Sequence, residues 1–380
     1  MTHAGTRKRL RISVILLAVF AFSLSTASSA GNWMPLPDGE IQRIAFGSCS
    51  NQYLQQPIWT TIAGVKPDLF LHLGDIIYGD AATPGLQRIS PEVDVIEKMR
   101  VDYALLANKP SFVRLRENVP FMAVWDDHDF GQNDGGGEFV RKAESRDLLL
   151  DFLDVPANSE RRLSPGLYES AIFGPRGRRV QVIMLDTRYF RDPLIRSDLT
   201  ANEARAQGVV GFYAPNEDPN ATLLGSEQWR WLESQLRKPA EVRLLASSIQ
   251  VIAGNKGAEG WGNFPFELER LYALIDRTLA SGIVILSGDV HFSELSMIEG
   301  VIKYPLYEFT SSPLRQFGVA MSGWERTRNP YRILPAFAKD NFGVVDIDWS
   351  TTPHPTIVLR LMTDDGTEVL AHELSLGDLQ

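Results

Sequence analysis

A single cysteine, Cys49, among 380 residues leaves no partner for an internal disulfide. That excludes the disulfide-stapled architectures of small secreted domains. No apolar run suits a membrane span: the best candidate, Ile12 to Leu24, is shorter than the roughly 20 residues a spanning helix needs. Positive charge is also short, with 38 Lys and Arg against 47 Asp and Glu and a formal net charge of −9, which argues against a nucleic-acid surface. Internal repeats and low-complexity tracts are missing as well, so repeat architectures drop out.

The first thirty residues combine a basic start (Arg7, Lys8, Arg9, Arg11), the apolar stretch from Ile12 to Leu24 and small residues ending at Ala30. Residues 1–30 therefore read as a secretory signal peptide. Its loss removes four positive side chains and no acids, taking the formal charge from −9 to −13. The remaining residues, 31–380, are expected to form a single catalytic domain, exported to the periplasm or the exterior and monomeric. Arg7-Lys8-Arg9 leaves the choice between the general and the twin-arginine export route open. An acidic protein that handles anionic substrates needs local positive charge, supplied by metals or a few arginines.

Apolar runs of strand length recur at 41–46, 68–73, 120–125, 180–186, 243–249, 283–287, 306–310, 344–349, 356–362 and 368–374. Helical spacing appears between them. Ser90-Pro91-Glu92 reads as a helix start leading to inward Ile96, Met99, Tyr103 and Leu106. Ser226-Glu227 opens another, with Trp229, Leu232 and Leu236 on one face, and a third runs from about 266 to 280 with Leu268, Leu271, Ile275 and Leu279 inward. Alternation of strand and helix early, then mostly strands, predicts an α/β (α+β) fold of two mixed sheets face to face with helices outside, four layers in all. Residues 192–224 read as a long surface loop and Gly131 to Gly137 as a flexible one.

Three of the apolar runs end in acid-rich motifs: Gly74-Asp75-Ile76-Ile77-Tyr78, Trp125-Asp126-Asp127-His128-Asp129 and Gly288-Asp289-Val290-His291. Strand carboxyl ends are where ligands bind in α/β sheets. Convergence there would gather more negative charge than a pocket can bury without cations. Cys49 falls at a fourth strand end, and although a lone thiol is ordinarily incidental, its position suggests a ligand. Two metals about 3.5 to 4 Å apart supply what phosphate-ester hydrolysis needs. Asp75 is the expected bridge. Tyr78 as phenolate favours Fe(III), Cys49 suits iron or zinc, and His291 returns to that metal. Asp289 with Asp126 or Asp127 would hold a second, oxygen-ligated cation such as calcium, magnesium or manganese. His128 is left to hydrogen-bond the phosphoryl group or protonate the leaving oxygen, with Asp129 fixing its ring. Arg188, after Asp186-Thr187, either contacts phosphate or pairs with an acid. His72 reads as a core group, His354 and His372 as structural or exposed, and Trp229, Trp231 and Trp261 as packing.

At these residues the chain resembles the PhoD-like alkaline phosphatases of the metallophosphatase superfamily. The resemblance spans about residues 41 to 348 and rests on Phe46-Gly47-Ser48-Cys49, Leu73-Gly74-Asp75-Ile76-Ile77-Tyr78-Gly79-Asp80 and Trp125-Asp126-Asp127-His128-Asp129-Phe130-Gly131-Gln132-Asn133-Asp134. It continues through Leu185-Asp186-Thr187-Arg188, Leu224-Gly225-Ser226-Glu227-Gln228-Trp229-Arg230-Trp231-Leu232 and Ser287-Gly288-Asp289-Val290-His291-Phe292. It implies a four-layer αββα metallophosphatase sandwich. It also implies an iron and calcium site with Cys49, Asp75, Tyr78 and His291 around iron and Asp75, Asp127 and Asp289 on calcium. The calcium ligand of the second motif is open among Asp126, Asp127 and Asn133, and a further ligand expected near Ser247 to Gln250 has no candidate. Longer family members carry an N-terminal β-domain; this chain reads as a short form without it.

The expected activity is hydrolysis of small phosphomonoesters, with phosphodiesters, by attack of metal-bound hydroxide. The alternatives are a phosphodiesterase or phospholipase D-like enzyme at the same site, and a non-hydrolytic phosphate-binding protein. No stable nucleic-acid complex and no membrane span are expected.

Overall fold

Strands buried along their whole length form where Val, Ile, Leu and Phe run uninterrupted, since each such side chain contributes about 1.5–3 kcal/mol on leaving water. A computed structural model describes residue 1 and residues 33–81, 94–254, 256–316 and 323–380. The expected signal peptide lies outside the described residues apart from Met1. Met1–Ala30 and Gly31–Gln380 are separate units, and the described strands and helices all belong to the second.

Its strands are β1 (Arg43–Gly47), β2 (Leu69–Leu73), β3 (Phe121–Val124), β4 (Glu169–Phe173), β5 (Val180–Met184), β6 (Ile195–Arg196) and β7 (Tyr213–Ala214) in the first half. The second half adds β8 (Val242–Ala246), β9 (Ile283–Ser287), β10 (Glu294–Ile298), β11 (Leu306–Thr310), β12 (Asn341–Asp348), β13 (Thr356–Thr363) and β14 (Glu368–Ser375). One sheet has the order β14-β13-β12-β1-β2-β3, the other β10-β11-β9-β8-β5-β4. Within them β1, β2 and β3 are mutually parallel, as are β11, β9, β8 and β5. The two sheets meet through an apolar core, where Phe46 of β1 packs edge-on against Phe309 of β11 with ring centres 5.2 Å apart.

The helices are α1 (Ile58–Gly64), α2 (Val95–Ala107), α3 (Pro110–Asn118), α4 (Asp127–Phe130), α5 (Lys142–Phe152), α6 (Ala201–Gln207), α7 (Gly225–Leu236) and α8 (Pro265–Thr278). Trp59 of α1 packs on Phe70 of β2. On the other sheet, Gln181 of β5 donates to the carbonyl of Gln235 at the end of α7. Helices outside, two mixed sheets inside: the four-layer expectation holds.

All ten apolar runs are strands. Ile96, Met99, Tyr103 and Leu106 are the buried face of α2, whose described cap is Asp94; Ser90, Pro91 and Glu92 lie outside the described residues. Leu279 departs from its expected inward position: it sits past the end of α8 with φ of 55° and is exposed, because the helix stops at Thr278. Residues 192–224 are not bare loop, for they carry β6, α6 and β7. Thr200 and Glu203 form a capping box at the start of α6, a sequence signal hidden by the polarity of the segment. Nor is Gly131 to Gly137 slack, since the Gly137 N–H donates to the carbonyl of Arg191 and Lys142 donates to that of Gly137.

Candidate metal centre

Four strand ends deliver the site, three from one sheet and one from the other. Cys49 follows β1, Asp75 and Tyr78 follow β2, Asp126 to Asp129 follow β3, and Asp289 and His291 follow β9. Such turns are tight. Cys49, Asp75, Asp289 and His291 all hold left-handed backbone, with φ of 63°, 55°, 70° and 58°. Non-glycine residues there cost on the order of 1–3 kcal/mol each and persist where neighbours over-determine them. Gly74 makes the approach possible: at φ of 96°, a Cβ on it would stand 2.4 Å from that of Asp126.

Two donor sets result. In one, ligand atoms of Cys49, Asp75 and His291 lie within 4.8 Å of one another. The Cys49 Sγ is 3.4 Å from Asp75 Oδ2, and the Tyr78 hydroxyl is 3.0 Å from His291 Nε2. In the other, Asp126, Asp127 and Asp289 converge within the same limit. Asp127 also groups with Asp75 and His128, so Asp75 stands between the two sets. Asp126 Oδ2 and Asp127 Oδ1 are buried with no hydrogen-bond partner. Bare carboxylate oxygens inside a protein need a cation or a donor. The thiol, imidazole and phenol of the first set suit a transition metal, and the oxygens of the second suit a hard cation, so these residues fit a metal pair.

The electrostatics agree. Burial, reinforced by the Asp126 and Asp127 carboxylates, pushes Asp289 well above the usual range, and burial does the same to Asp75 against the opposing pull of His128. Burial with Asp75 nearby also lifts the Cys49 thiol and the Tyr78 phenol. Burial and the neighbouring His128 bring His291 down to about 4, keeping it neutral as a ligand must be. Asp127 moves the other way: burial would raise it, but His128, Arg188 and the Asp134 N–H outweigh that and hold it anionic. For His128, burial is outweighed by Asp127, Asp75 and Asp80, which favour the protonated ring.

Two expected roles are corrected. Asp129 does not fix the His128 ring. Its carboxylate accepts from the N–H groups of Asp75, Ile76 and Asp126, tying the second and third strand-end turns together. Asp80 takes the expected role, with Oδ1 2.6 Å from His128 Nδ1. Arg188 has no surface for phosphate: it is wholly buried, pairing with Asp126 and Glu259, so the acid-pairing alternative is the one realised. Asn133 is exposed, whereas Asp126 and Asp127 are buried. Near the end of β8, Ser248 donates to Asp126 Oδ1, 2.6 Å away. Arg188 and Ser248 thus occupy one oxygen of Asp126, whereas Asp127 Oδ2 accepts the Asp134 N–H at 2.8 Å. His72 is a core group, driven down to about 3 by burial and lying 3.2 Å from the Ser50 hydroxyl. Trp229 and Trp261 are buried, and His354 is exposed. Sequence reasoning did not single out Asp80, Asp134 and Glu259. The first two stand inside the quoted motifs, while Glu259 lies in a loop with no local signal.

A four-layer α/β sandwich that gathers a buried acidic and mixed-donor cluster at its strand ends has the build of a metallophosphatase. The chain belongs to the PhoD-like phosphatase family, whose model matches residues 44–351. Alkaline phosphatase D of Bacillus subtilis (strain 168) is 25% identical over 318 residues, which cover 76% of this chain and 52% of that protein. The chain therefore spans about half the length of the curated relative it matches. The solved structure of PhoD superposes with a TM-score of 0.65 at 22% identity, covering 90% of this chain and 70% of that one, and so shares its fold.

Proposed function

We propose that this chain is an exported, metal-dependent phosphatase that hydrolyses small phosphate esters at a two-cation site. Cys49, Asp75, Tyr78 and His291 would hold iron, and Asp75, Asp127 and Asp289 calcium. The observation that carries the reading is the pair of buried, unpartnered oxygens on Asp126 and Asp127 beside a second donor set that shares Asp75. Asp127 is favoured over Asp126 because Arg188 already neutralises the latter. Cations bound here would neutralise phosphoryl charge and supply a nucleophilic oxygen at moderate pH.

The protein's own groups do the rest. Asp80 orients His128 through Nδ1, leaving Nε2 to donate to a phosphoryl or leaving-group oxygen. The His128 side chain keeps 17% of its surface exposed beside the buried carboxylates of Asp75, Asp126 and Asp127, so substrate can reach it. The Asp80 carboxylate, 2.6 Å from Nδ1, favours the protonated ring that a leaving-group acid requires. Export rests on the leader-like residues 1–30, and action as a monomer on free small esters completes the reading; among the described residues no helix is long and apolar enough to cross a membrane.

Hydrolysis of aryl phosphate monoester and diester, with calcium and with chelator, tests it. Turnover that chelator abolishes is expected; no turnover of either ester by the metal-loaded protein would overturn it. The monoester to diester ratio separates a phosphatase from a diesterase.

A further inference from the structure

The insertion that carries β6, α6 and β7 is fastened to both loops that support the second donor set. Its Val210 and Phe212 N–H groups donate to the carbonyls of Lys256 and Gly257, at 2.6 Å each. Gly257 has φ of 68°, and a Cβ there would stand 2.6 Å from the Gly211 nitrogen, so this seam depends on glycine. Two residues on, Glu259 binds Arg188 and Arg191, and Arg188 holds Asp126.

The other connection is more direct. The Tyr213 hydroxyl donates to Asp134 Oδ2, while Arg191 donates to the Asp134 carbonyl. Asp134 has φ of 51°, a left-handed conformation that a non-glycine residue keeps only when held. In that conformation its N–H meets Asp127 Oδ2 at 2.8 Å, and Asp127 Oδ1 is left bare in the cluster with Asp289. Tyr213 is 4% exposed, with the Arg196 guanidinium over its ring at 4.8 Å.

We infer that Tyr213 is a positioning residue for the second cation subsite: it holds Asp134 so that the Asp134 N–H aims Asp127 Oδ1 at the cation. The segment then serves as a clamp on one metal. This rests on the reading of Asp127 and Asp289 as cation ligands.

The test is calorimetric titration of calcium into the full chain carrying its iron, as wild type, Tyr213→Phe and Thr200→Ala. Thr200→Ala removes the cap of α6 in the same insertion and leaves the Tyr213 bond in place. Tyr213→Phe should bind calcium about tenfold more weakly, as expected when a group that orients a ligand is lost. Its iron content should be unchanged, and Thr200→Ala should titrate like wild type. Wild-type affinity in Tyr213→Phe, or equal weakening in both variants, would overturn the inference. No calcium uptake by wild type would instead overturn the subsite reading, and the inference with it.

Discussion

Arg188 pairs directly with Asp126, whereas Asp127 and Asp289 have no Lys or Arg ion-pair partner among the described residues. With both of its carboxylate partners buried, Arg188→Met leaves Asp126 without its ion pair and Glu259 with Arg191 alone, a loss of about 3–5 kcal/mol. Denaturant unfolding of the metal-free protein should show it, and an unmoved midpoint would mean the pair is not worth its burial. His128→Ala should cut turnover by about 10²–10⁴-fold at unchanged metal content, since a leaving-group acid is lost and no ligand is. Metal lost along with activity would make His128 a ligand instead. At this scale the sequence is legible for what residues are and poor for what they face. Asp75, Asp127, Asp289, Cys49 and His291 come together because strand ends dictate it. Asp80 takes the role expected of Asp129 because an N–H bracket and a ring contact depend on a turn whose path no spacing records.

At the level of elements, the site is a set of turns held in unfavourable backbone by bonds between them. The Cys49 N–H donates to the Gly74 carbonyl and the Ser50 N–H to that of Asp75, joining the ends of β1 and β2, and Asp129 joins β2 to β3. Gly74→Ala should therefore cost about 1–3 kcal/mol in unfolding free energy, from its positive φ and the Asp126 contact, and weaken both cations together. Full stability with intact metal content would show that the turn tolerates a side chain. The fully buried strands are legible from their apolar runs. β4 is not, for only its last residue is buried, and β6 and β7 span two residues each, too few to show a period.

For the whole molecule, the crowded acids make stability depend on cations. Removing metal should lower the thermal midpoint, because a ligand that binds only the folded state stabilises it by mass action. Without cations, Asp75 and Asp289 have raised folded values, and burial lifts Asp129 to about 8. Their contribution is fully present below the ordinary carboxylate range and is lost as pH rises through the raised values. Metal-loaded protein responds oppositely, since deprotonated ligands bind metal better. The gap between loaded and chelated midpoints should therefore widen as pH rises toward about 8, as scanning calorimetry of paired samples would show. A gap that narrows would mean the acids are not compensated by cations.

The central claim is an unsymmetrical pair of cations sharing Asp75. Elemental analysis of the natively produced protein, with its visible spectrum taken on the same sample, tests it most directly. One iron per chain with a tyrosinate or thiolate absorption band, together with bound calcium, is the expected result. Protein that hydrolyses phosphate esters while holding neither metal, or iron with no such band, would contradict it.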